Sequence, residues 1–355
     1  MTLLLSLFFN REEIFMNGKV KSALEALAIL SITLIIAMSS PFNPWIEGSF
    51  TTIQTEILDI AYSVRQGFLA YVELDGHYGP VLYEFYGLGY LPTDTHIVHF
   101  IMETVIVFFT VLFNFKTAKL YTSEIFALIS TFLLTVFEMG ALTHAGAEEF
   151  MFFLFSLTVY HVARQLKYGF LSYHTYLLAI DFGLVFFLQP VYSLIWVILL
   201  VFFAVKFWNE KLPSDEYKAF VVSVIEGLIT VMIPMGLYLW YFKNAAAFWQ
   251  NVVVYNFSHM GTFEEGIRTV CGTPWIILLS VLIVVIIIKS IKKENISDLC
   301  CWLGLMFVSY IVIALQGDNP STIVQLSKAL YIVPLASAFS LFDNYLGLSV
   351  EKRKF

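Results

Sequence analysis

Ten stretches of this chain are each long and apolar enough to be read as a crossing of a lipid bilayer, and little chain is left between them. A spanning helix needs about 20 mostly apolar residues. Such runs fall at 23–40, 96–115, 121–140, 147–164, 172–189, 191–208, 219–242, 274–290, 298–316 and 323–343. The stretch 172–208 holds two of them. Gln189-Pro190 divides it, because proline cannot continue a helical hydrogen-bond ladder. Of the 355 residues, 59% are hydrophobic and 13% charged, against about 45–50% and about 25% in a soluble domain. A water-soluble globule cannot bury that much apolar surface, and 35 Phe with 19 Tyr exclude a disordered chain. The expected fold is an all-α polytopic membrane protein of about ten transmembrane helices. It divides into a cytoplasmic segment at 1–22, one membrane domain at 23–343 and a cytoplasmic tail at 344–355.

The basic residues set the orientation. With the N-terminus inside, 16 of the 20 Lys and Arg fall on inner segments, and Arg65, Lys243, Arg268 and Lys328 stay outside. A multi-pass protein of the plasma membrane with both termini in the cytoplasm is expected. Met1–Phe9 is apolar but too short to span, so it lies on the inner surface or translation starts at Met16. The first span is expected to stay uncleaved. The net charge of −7 provides no basic field for nucleic acid. Cys271, Cys300 and Cys301 make neither a disulfide framework nor a zinc site.

Two outer loops are long, 41–95 and 243–273, and long loops on a membrane bundle carry function. The first is rich in acids and aromatics. Thr55–Gly67 reads as a short amphipathic helix with Ile57, Ile60, Ala61 and Val64 on one face and glycine closing it. Glu56 and Asp59 neighbour each other on its edge and suit a general base facing an outer cavity. Asp75-Gly76 and Gly79-Pro80 are turn signals, and helical spacing resumes at Val81. Acids, His77 and tyrosines around such turns suit a sugar or a metal ion. His144 and Glu148 stand four apart, a spacing that fits a divalent cation, but no third ligand is identifiable and no cofactor is assigned. Lys328 and Arg268 suit a lipid phosphate or an ion pair with a neighbouring acid, Glu264 in the case of Arg268. Asp181 lies mid-span, where ionisable groups serve structure or substrate.

At these residues the sequence resembles a family. Gly67…Tyr71-x-Glu73…His77-x-Gly79-Pro80-x-x-Tyr83 is similar to the first outer-loop motif of bacterial GT-C polytopic glycosyltransferases. The branch is that of the protein O-mannosyltransferases and aminoarabinose transferases. Ala147-Glu148-Glu149-Phe150 resembles the family's acidic helix start, and Asn251…Tyr255-Asn256-Phe257-Ser258 resembles its second-loop stretch. The resemblance implies transfer of a sugar from a polyprenyl-phosphate donor to a cell-envelope glycan or lipid acceptor on the outer face. Inversion is expected, with a loop carboxylate as base. It implies Glu56, Asp59 and Glu73 as catalytic candidates. Asp75, His77, Tyr78, Glu148, Glu149, Asn256, Arg268 and Lys328 are then substrate-binding candidates. The chain departs from the family in three places. Thr52 or Ile53 stands where the leading aspartate is expected, Tyr78 replaces a lysine, and Gly76 replaces an aspartate with Asp75 one residue early.

Three other classes compete. A polysaccharide polymerase places key arginines in large outer loops, and only Arg65 and Arg268 are there. A membrane acyltransferase carries a span-embedded histidine motif that is absent here. A transporter, flippase or non-catalytic relative in polysaccharide export is the remaining alternative. Asp181 and the Gln189-Pro190 break favour it, and the lack of an internal repeat opposes it.

Overall fold

The computed structural model describes residues 18–46, 48–92, 95–272, 276–315 and 327–346. The expected N-terminal segment up to residue 17, the tail from 347 and the loop acids Glu47, Asp94 and Asp318 lie outside the described residues. Among the described residues the secondary structure is helical, and ten helices stand where crossings were expected. These are α1 (Gly18–Ala37), α4 (Ile97–Ala118), α5 (Glu124–Phe137), α7 (Ala147–Tyr168), α8 (Ser172–Phe186), α9 (Ser193–Asn209), α10 (Ser214–Tyr241), α14 (Ile276–Ile291), α15 (Ser297–Ala314) and α16 (Ile332–Leu346). By length and hydropathy, four reach across a bilayer: α4, α10, α15 and Pro190–Asn209, a 3-10 turn running into α9. Shorter apolar helices accompany them. The chain is a multi-pass membrane protein. The exposed face of α10 agrees, with Val221, Ile225, Ile229, Ile233 and Leu237 all turned outward. A bilayer rather than water is the solvent for such a face.

The most extensive helix pairing is α8 on α10, and small residues let the two backbones approach. A Cβ added at Gly227 would stand 2.4 Å from the Tyr176 carbonyl oxygen, and one at Gly183 would stand 2.8 Å from the Val231 Cβ. Without a hydrophobic drive between helices in lipid, such backbone approach supplies the packing attraction. Asp181, on the same helix, is buried and satisfied. It accepts from Thr158 Oγ1 at 3.0 Å, and that oxygen accepts from Trp196 Nε1 at 3.0 Å. The mid-span acid thus ties α7, α8 and α9 together.

Ion pairs and side-chain caps tie the helix ends together. At one end Lys119 pairs with Glu25 and Glu124, Lys289 with Glu294, and Asp343 of α16 accepts from the Thr122 hydroxyl and the Ser123 amide at the start of α5. At the other end lie the two long loops. The second of these, expected as a loop over 243–273, is instead largely helical: α11 (Ala245–Phe248), a π-helical turn (Trp249–Val254), α12 (Tyr255–Ser258) and α13 (Phe263–Gly272). The expected span 121–140 also stops early. Buried Glu138 ends α5 by accepting from Lys328 Nζ at 2.9 Å, and the separate turn α6 (Met139–Leu142) follows.

Candidate functional site

The first long loop folds into a platform of two helices, α2 (Thr52–Arg65) and α3 (Pro80–Gly89). α2 begins three residues before the expected Thr55. The sequence Thr51-x-x-Gln54 is a capping box: Thr51 Oγ1 accepts from the Gln54 amide and Gln54 Oε1 from the Thr51 amide. Ile57, Ile60 and Ala61 are buried as their spacing requires, and Val64 is half-buried. Glu56, Asp59 and Arg65 face outward. Gly67 closes the helix at φ 99°, where a side chain would be strained.

Between the helices the chain turns twice. Tyr71 takes φ 69°, a left-handed conformation that costs a non-glycine residue about 1–2 kcal/mol. Three hydrogen bonds hold it there. Its amide donates to the Leu74 carbonyl at 3.0 Å, its hydroxyl donates to the Tyr78 carbonyl at 2.9 Å, and its carbonyl accepts from Asn251 Nδ2 at 3.1 Å. Glu73 is fixed by the same turn, its Oε2 accepting from the Leu69 amide at 2.7 Å. Gly79 then docks the loop onto the bundle. Its amide donates to the Leu188 carbonyl at 2.8 Å, just before the Pro190 break, and a Cβ on it would fall 1.8 Å from the Phe187 carbonyl oxygen.

The second loop grips this turn. His77 lies flat on Tyr255, with centroids 3.7 Å apart and planes 8° from parallel. Its Nδ1 donates to the Asn251 carbonyl at 3.3 Å. Asn256 Nδ2 donates to the His77 carbonyl at 2.9 Å. The π-helical turn places Asn251, Tyr255 and Asn256 together for this, and such turns recur at functional sites.

Beside Glu73 opens a cavity of about 290 Å³ between α2, α3 and the end of α10. Arg65, Leu69, Glu84 and Tyr238 line it, and Tyr238 donates its hydroxyl to Glu84. Arg65 is its one basic lining residue among those described.

No protein-family model matches this chain, and neither a curated protein nor a solved structure shows detectable similarity to it. The chemistry of the platform therefore rests on its own geometry.

That geometry sorts the expected residues. Glu73, Asp75, His77, Tyr78 and Asn256 come together in the turn and its clamp. Glu56 and Asp75 bear electrostatically on the Tyr83 hydroxyl, whereas Asp59 bears on Tyr90. Glu149 does not reach the platform surface. It is buried beneath α3, where its Oε2 accepts from the Tyr86 hydroxyl at 3.2 Å. The Glu148 side chain lies outside the described residues. Arg268 pairs with Glu264 at 2.7 Å on the exposed face of α13, and Lys328 pairs with Glu138, so both cations have protein partners. Among the described residues no group of three or more His, Cys, Asp and Glu side chains comes together to hold a metal ion. Arg65 emerged from the structure. Its signal in the sequence is that it is the sole Lys or Arg in the loop 41–95.

Burial pushes the Tyr71 and Tyr83 hydroxyls above their ordinary value of 10.0, with neighbouring acids adding to the shift. A raised folded-state value means that their contribution to the platform is complete below about pH 10 and is lost as pH rises through the shifted values. Alkaline titration followed by phenolate absorbance should therefore show a late class among the 19 tyrosines that joins the ordinary class on denaturation. Tyr83→Phe should remove one member of the late class, and an unchanged late class would refute the assignment.

Proposed function

We propose that this protein is a membrane glycosyltransferase that moves a sugar from a polyprenyl-phosphate donor to a cell-envelope glycan or lipid acceptor. The bundle is read as GT-C-like with about ten crossings, and the platform as facing the outer side of the plasma membrane. The observation that carries this reading is the clamp of His77 by Asn251, Tyr255 and Asn256. It joins the two loops that bear the family-like motifs into one site.

The chemistry is a single displacement. The acceptor hydroxyl oxygen bonds to the anomeric carbon as the bond from that carbon to the phosphate oxygen breaks with its electron pair, inverting the centre. The acceptor proton goes to a carboxylate, and polyprenyl phosphate leaves. Glu73 is the base in this scheme, because the Leu69 amide holds one of its oxygens and orients the other. Arg65, lining the adjoining cavity, offers planar donors to the departing phosphate. Asp75, His77 and Tyr78 present hydrogen-bonding groups to a sugar.

Purified protein in lipid should release free polyprenyl phosphate from one of a panel of polyprenyl-phosphate sugars when an envelope glycan extract is supplied. Folded protein that releases none from any donor would turn the assignment to a transporter or a non-catalytic relative.

A further inference from the structure

The end of the bundle opposite the platform holds a second cleft that the proposed transfer does not use. It encloses about 370 Å³ between α1, α4 and α7. Ala26, Ile29, Leu112 and Phe115 give it an apolar wall, and Lys116, Lys119, Arg164 and Glu25 are its charged lining residues among those described. Lys119 is compensated locally, with Glu25 at 3.3 Å and Glu124 at 2.8 Å. Lys116 is different. Its ammonium lies 5.1 Å from the Phe113 ring centroid and 6.0 Å from that of Tyr160, with no carboxylate in ion-pair range among the described residues. The Arg164 guanidinium sits 4.6 Å over the Tyr168 ring. Aromatic faces orient the Lys116 ammonium without neutralising it. α1 also exposes Leu27, Leu30 and Leu34, a surface for a hydrocarbon chain.

We propose that this cleft binds the phosphate headgroup of an anionic phospholipid, with an acyl chain lying against α1. Basic sites between membrane helices recognise such headgroups. A zwitterionic lipid is a poorer occupant, because its own ammonium meets the uncompensated charge of Lys116. A neutral lipid offers nothing for the cations to bind.

Native mass spectrometry of the full chain, stripped of lipid and titrated with phosphatidylglycerol, phosphatidylcholine or soluble glycerophosphoglycerol, tests this. Wild type should retain phosphatidylglycerol in preference to phosphatidylcholine and should not retain the soluble headgroup. Lys116→Gln should weaken phosphatidylglycerol retention about fivefold, and the double variant Lys116→Gln/Arg164→Gln should weaken it further. Lys218→Gln, at an exposed lysine of the same end paired only with Asp215 at 3.6 Å, should leave it unchanged. Lys116→Gln alone decides the matter should the double variant fail to fold. Equal retention of both lipids, retention of the soluble headgroup, or equal losses in the Lys116 and Lys218 variants would each overturn the proposal.

Discussion

Gly79→Ala is expected to release polyprenyl phosphate about 100-fold more slowly than wild type while keeping the helical bundle. The added methyl would meet a backbone oxygen, that of Phe187, at 1.8 Å, so no side-chain rotation relieves it. The loop must lift off the start of the Pro190 break and give up the hydrogen bonds that the Gly79 and Val81 amides donate to the Leu188 and Phe187 carbonyls. His77, two residues away, then leaves Tyr255. Misplacement of about 1 Å at a catalytic centre suffices for a loss of this order. Hydrogen exchange should rise in 70–79 and 248–258 and stay unchanged in α8 and α10. An active Gly79→Ala protein would show that the docked turn is no part of the machinery.

Glu73→Gln should lower donor-dependent release by about 10²–10⁴-fold, the range for loss of a general base. The substitution separates chemistry from structure, because the glutamine oxygen can still accept from the Leu69 amide and hold the turn. Thermal stability should therefore match wild type. Glu56→Gln and Asp59→Asn, on the outward edge of α2, should retain most of the activity. If Glu56→Gln is the inactive protein and Glu73→Gln the active one, the base is on α2 and the reading of the turn fails.

The helices were legible in the sequence because apolar runs of membrane length have few alternatives. Proline at 190 and glycine at 67 marked real boundaries. Hydrophobic spacing alone starts α2 at Thr55 rather than Thr52, because it ignores the capping box at Thr51 and Gln54. The helices inside the second long loop leave little hydrophobic signal, because a π-helical turn breaks the 3.6-residue period on which helix reading depends. Within the site, His77 and Asn256 could be named from their motifs, but not their contact, which crosses 179 residues of chain. Lys328 could be seen as a cation in need of a partner. That the partner is Glu138, across the bundle on another helix end, depends on packing that no local pattern encodes.

The π-helical turn makes the union of the two loops a matter of chain length as well as residue identity. Each such turn carries an extra residue relative to an α-helix. The same amino acids in an unbroken α-helix, one residue shorter, would bring Tyr255 and Asn256 to a face rotated by about 100°. Composition would be nearly untouched, yet the histidine would have nothing to lie on. Related chains that share these residues but differ by one in the interval from Asn244 to Tyr255 would thus keep the bundle and lose the clamp. Spacing across that interval, more than identity within it, would then decide whether such a chain joins its two loops.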